Sequence, residues 1–73
     1  MALSSDQKRA FRVAYELLER YYPPKQDEEY WKELAKDLSL LGNQHRDDYL
    51  ARILLITVYE YLEEELRRER KAK

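Results

Sequence analysis

The sequence predicts an all-α fold, a small three-helix bundle with a long C-terminal helix. Apolar residues recur at helical spacing through most of its 73 positions. One glycine and two adjacent prolines are too few turn formers for a chain of many short strands. Those breaks cut it into three helices, at about 5–21, 27–41 and 48–70.

The first helix is expected from about Ser5 to Tyr21, where Ser4 and Gln7 have the spacing of a capping box. At about 100° per residue, Phe11, Tyr15, Leu18 and Tyr22 form one stripe, with Ala10, Val13, Ala14, Leu17 and Tyr21 beside it. Lys8, Arg9, Arg12, Glu16, Glu19 and Arg20 fall on the opposite side. Within that set Arg12, Glu16 and Arg20 alternate in sign at four-residue steps, which suits a face in water. Pro23-Pro24 must end the helix, because proline lacks the backbone donor and forces Tyr22 out of the α region.

Asp27 is positioned to cap the second helix, and Glu28 and Glu29 complement its N-terminal dipole. Its stripe is Tyr30, Leu34, Leu38 and Leu41, flanked by Trp31 and Ala35, and Gly42 is the expected exit. Leu40 lies off the apolar face.

The connection 42–47 leads to Asp47 or Asp48 as cap of the third helix. Leu50 to Leu62 is the longest apolar run, interrupted by charge only at Arg52 and Glu60. Its apolar arc covers roughly 220°, wider than the stripe of an ordinary surface helix. Two seams run along it with coiled-coil spacing: Leu50, Leu54, Thr57, Tyr61 and, separately, Leu55, Tyr59, Leu62, Leu66. At 1.5 Å per residue the three helices span roughly 25, 22 and 34 Å, so the third overhangs its cover at Leu66. A symmetric homodimer built on the second seam is therefore expected, with Leu55, Tyr59, Leu62 and Leu66 as its interface. Beyond it, Glu63 and Glu64 stand four residues before Arg67 and Arg68 as supportive pairs. The ends, at about 1–4 and 71–73, are expected to fray.

A chain of this length is one domain, 1–73, near the lower limit for an independent core. Without cysteine it has neither disulfides nor thiolate metal sites, which leaves tight helix packing or self-association as the source of stability. Its 14 basic and 15 acidic residues are interspersed, with a net charge of −1, which argues against nucleic acid as a default partner. An ordinary apolar share argues against disorder. No apolar signal segment follows Met1, and the central run is shorter than the roughly 20 residues a membrane span needs. A cytoplasmic protein with no membrane contact is the expectation.

No constellation carries chemistry. His45, the only histidine, has Asp47 and Asp48 nearby, but zinc needs three or four converging ligands and helix capping explains the aspartates. Glu63, Glu64 and Glu65 are consecutive on a helix and point in different directions. There is no nucleophile motif and no glycine-rich phosphate loop. The expectation is a protein that is not an enzyme, with no catalytic, cofactor-binding or metal-binding residues and no cofactor.

Seven tyrosines and one tryptophan are many for this length, and Tyr21, Tyr22, Tyr30 and Trp31 cluster at the first connection. Such residues serve both half-buried packing and interface anchoring. The function expected is that of a small helical protein–protein interaction module, an adaptor or regulator that self-associates through helix 3 or engages another protein. The alternative is a nucleic-acid-binding dimer using Arg67, Arg68, Arg70 and Lys71 of the C-terminal end, with Lys8, Arg9 and Arg12 of the first helix.

Overall fold

Ser4 starts the first helix as its spacing predicts. In the computed structural model, which describes residues 2–72 and the side chains of 2–69, the Ser4 hydroxyl accepts from the Gln7 amide at 3.1 Å. The Gln7 side chain accepts in return from the Ser4 amide at 2.9 Å, completing the capping box. Helix α1 runs over Ser5–Tyr21, α2 over Glu28–Gln44 and α3 over Tyr49–Ala72. Among the described residues the fold is all-α, a three-helix bundle. Met1 and Lys73, where fraying was expected, lie outside the described residues.

The first connection is held by aromatic side chains. Tyr22 leaves the helix at ψ 136°, ahead of Pro23, while its amide still donates to Leu18. Pro24 is buried. The Tyr30 hydroxyl reaches back to donate to the Tyr21 carbonyl at 2.5 Å, occupying an acceptor that the end of α1 leaves free. The Trp31 indole N–H donates to the Lys25 carbonyl at 2.7 Å. Tyr21, Tyr30, Trp31 and Tyr59 then form a chain of edge-to-face contacts with centroids 5.5, 4.9 and 5.7 Å apart. Packing accounts for three of the four aromatics clustered there, and Tyr22 stands outside the group.

Asp27 caps α2 by accepting from the Glu29 amide at 3.0 Å. The helix does not stop at Gly42. It continues to Gln44, with Gly42 at negative φ and the His45 amide closing the last turn on Leu41 at 3.0 Å. Glycine in a helix costs only about 1 kcal/mol relative to alanine, so it permits an exit without enforcing one. The break comes at the turn after His45, and Asp48 rather than Asp47 caps α3 through the Ala51 amide at 3.2 Å. Helix α3 then reaches Ala72, two residues past its expected end. Its 24 residues span about 36 Å, against about 25 Å for each of the others.

The core departs from the expected stripes in register. Its buried α1 residues are Ala10, Ala14, Leu17 and Tyr21, the line beside the aromatic stripe. On α3 the buried line is Ala51, Leu55, Val58 and Leu62, which takes Leu55 and Leu62 from the second seam read from the sequence and adds Ala51 and Val58 beside them. Alanines at Ala10, Ala14 and Ala51 allow the two backbones to approach closely, and that gain in packing outweighs burial of the larger stripe. Helix α2 covers one side of this pair, inserting Leu34 as its one fully buried residue, with Tyr30, Trp31, Leu38 and Leu41 packed around it. Across the α1–α2 contact, the Tyr21 hydroxyl donates to Asp37, which Arg20 approaches at 3.4 Å.

Gly42→Ala should stabilise the fold by about 1 kcal/mol, since the residue is helical and a Cβ there meets nothing within 4 Å. Urea denaturation of the two proteins measures this directly.

The Tyr21 phenol gives a second expectation. Burial, followed by its hydrogen bond to the Asp37 carboxylate, pushes its pKa from 10.0 up to about 12. The folded state holds this proton after the unfolded state has released it. The stabilisation is therefore complete below pH 10 and lost as pH rises through about 12. In Tyr21→Phe the alkaline decline of unfolding free energy should be shallower than in the wild type. Its stability at neutral pH should fall by about 1 kcal/mol for the lost hydrogen bond.

Candidate interaction face

With the core drawn from the alanine-containing lines, the aromatic stripe of α1 is left outside. Phe11, Tyr15 and Tyr22 are 49%, 63% and 49% exposed, and Leu18 is half-buried. The α3 seam Leu50, Leu54, Thr57, Tyr61 is displaced in the same sense: Leu50 and Leu54 are half-buried, and Thr57 and Tyr61 are exposed.

These two stripes belong to one surface. Ala14, Leu18, Leu54, Thr57, Val58 and Tyr61 line an apolar groove of about 240 Å³ between α1 and α3. It continues through Leu18 into a second hollow bounded by Tyr15, Glu19 and Tyr22. The surface lies away from α2, whose Trp31 packs on Tyr59 at the other flank of α3. Two tyrosines are held at its rim by carboxylates. The Tyr15 hydroxyl donates to Glu19 at 3.1 Å, and the Tyr22 hydroxyl to Glu65 at 3.3 Å. The phenol of Tyr15 is raised in pKa by its bond to Glu19, and that of Tyr22 by the charge of Glu65.

The interface expected from the second seam of helix 3 is corrected by this arrangement. Leu55 and Leu62 are 2% and 0% exposed and belong to the intrachain core. Tyr59 is half-buried against Trp31, and Leu66 is half-buried, with both lining a shallow hollow beside Trp31. The physical reason is the aromatic end of α2, where Trp31 packs on Tyr59 and covers this flank of α3 up to the hollow that Leu66 borders. It is the other seam that α2 leaves open.

Of the basic residues named for nucleic acid, Arg67 donates to Glu64 at 2.7 Å, three residues back, rather than pairing with Glu63. Arg68 is exposed. The side chains of Arg70 and Lys71 lie outside those described. Arg9 pairs with Asp6 at 3.8 Å.

His45 lines a cleft of about 350 Å³ between α1 and α2, with Glu16, Arg20 and Asp37 among its other walls. Among the described residues no three histidine, cysteine, aspartate or glutamate side chains converge as metal ligands. No helix among them is long and apolar enough to cross a membrane.

The sequence signal for the exposed face was the pair of stripes themselves. Their position outside the core follows from the close approach of α1 and α3, which a periodicity count does not contain. No family model, curated protein or solved structure matches this chain.

Proposed function

We propose that this chain is a cytoplasmic, non-enzymatic protein–protein interaction module, an adaptor or regulator that self-associates through the apolar face shared by α1 and α3. The observation that carries the reading is the continuity of that face: an aromatic stripe and an apolar seam from two helices enclosing one groove.

Surface area supports the same reading. The chain exposes 5938 Å², whereas a compact monomer of 9.0 kDa exposes about 4,900 Å². The excess, about 1,000 Å², is shared between this face and the end of α3 that overhangs the other helices. The exposed residues are of the kind that anchor interfaces: rigid, large and tipped with one hydroxyl that remains wet at the rim.

Sedimentation equilibrium at tens of micromolar should give twice the 9.0 kDa chain mass. Tyr61→Glu, which places a carboxylate in the groove, should weaken association by about 100-fold while leaving the helical circular dichroism unchanged. Ile56→Glu is the control. Ile56 is 53% exposed but lies roughly 140° around α3 from Tyr61, so association should persist. A wild-type monomer, or equal loss in both variants, contradicts the reading.

A further inference from the structure

Three features of the sequence have no part in the α1–α3 face: the alternating charges of α1, the off-face Leu40 and the lone His45. They meet in the cleft of about 350 Å³ between α1 and α2. Val13, Glu16, Leu17 and Arg20 form its α1 wall, and this i, i+3, i+4, i+7 spacing is one face of a helix. The α2 wall repeats the pattern with Asp37, Leu40, Leu41 and Gln44. The cleft is therefore a groove between two helix faces, about two turns or 10 Å long. It closes near the first connection, where Asp37 accepts from the Tyr21 hydroxyl and stands 3.4 Å from Arg20. His45, at the C-terminal end of α2, borders the other end.

This groove is separate from the self-association face. At about 100° per residue, Val13 and Leu18 fall on opposite sides of the buried line Ala10, Ala14, Leu17, Tyr21. Its chemistry is a leucine floor with one charge left over. Leu17 is buried and Leu41 half-buried, while Leu40 is 51% exposed at the mouth. Arg20 is engaged by Asp37. Glu16 bonds neither Arg20 nor Arg12, the cations four residues to either side of it, and Arg12 does not line the groove. A carboxylate on the wall of a leucine-floored groove fits a cation carried among apolar groups.

Two helix faces bounding a groove admit the ridge of a third helix, whose anchors recur at i, i+3 or i+4 and i+7. A small molecule suits the groove less. Pockets for such ligands bury most of the ligand's surface, and the mouth here leaves Leu40 in water. We propose that the α1–α2 groove is a second docking site, which takes an amphipathic helix of another protein with a lysine or arginine among its apolar anchors. The basic residue pairs with Glu16, and the apolar anchors cover Leu40 and Leu41. Such a site gives an adaptor its second contact, holding a partner on one side while the α1–α3 face stays available. Nothing in this site depends on self-association.

A random peptide library displayed on phage and selected on the immobilised full chain tests the site. Enriched peptides should carry apolar residues three or four positions apart with a lysine or arginine among them. Leu40→Glu should weaken their binding by at least about tenfold, and Ile56→Glu, on the outer side of α3, should leave it unchanged. Glu16→Arg should turn the selected charge from basic to acidic, which a general loss of structure cannot do. Leu40 and Glu16 are both exposed, so circular dichroism of each variant should match that of the unaltered chain. The mass of Leu40→Glu in sedimentation should match it too. Enrichment that ignores Leu40→Glu, a basic preference that survives Glu16→Arg, or no enrichment at all overturns the docking site. So does a fall in mass for Leu40→Glu, which would assign the groove to a second copy. An unaltered chain that sediments as a monomer overturns self-association alone.

Discussion

Close approach of α1 to α3 over alanine is the constraint on which the rest of this molecule depends. Ala10 and Ala14 on one helix and Ala51 on the other are buried, and Ala14 shares one core cluster with Leu17, Leu55, Val58 and Leu62. Small residues let the helix axes come together, so the larger side chains around them gain dispersion contacts on more sides. Once that line is fixed, rotation about each helix is fixed too. The remaining apolar residues of α1 and α3 then fall on one flank or the other, apart from Tyr49, Ile53 and Ile56, which stay exposed on the outer side of α3.

One flank is closed by α2. Leu34 is its anchor in the core, and Tyr30, Trp31 and Tyr59 extend the seal toward the C-terminal half of α3. The same aromatics tie down the connection from α1, through the bonds of Tyr30 to Tyr21 and of Trp31 to Lys25. The other flank has no third helix. It keeps Phe11, Tyr15, Leu18 and Tyr22 beside Leu54, Thr57 and Tyr61, a combination more typical of an interface core than of a solvated surface. A bundle of this size has little stability to spare, and a second chain on that flank would add burial where the fold itself supplies none.

Local chemistry made much of this legible from sequence. The Ser4–Gln7 capping box, the Asp27 cap, the proline stop after Tyr22 and the excess length of α3 each depend on residues close together in the chain. Gly42 misled because glycine allows a helix to end but does not require it, and the half-buried Leu41 and Gly42 continue the helical turn. The face was misassigned for a different reason. The stripes Phe11–Tyr22 and Ala10–Tyr21 lie side by side on one helix, and hydrophobicity favours the aromatic one. What decides between them is how near the opposing helix can come, a property of two surfaces together. The same ambiguity on α3 made Leu55 and Leu62 look available when they are the centre of the core. That the arc was too wide for two covering helices was readable; which end of the arc stays open was not.

In the proposed dimer a second copy completes the uncovered flank of α1 and α3. The concentration dependence of thermal unfolding tests it most directly, because a fold that shares its cover with another chain is stabilised by mass action. Raising the protein from about 5 to about 500 µM should lift the unfolding midpoint by roughly 10 °C. A midpoint that stays the same across that range would contradict the claim.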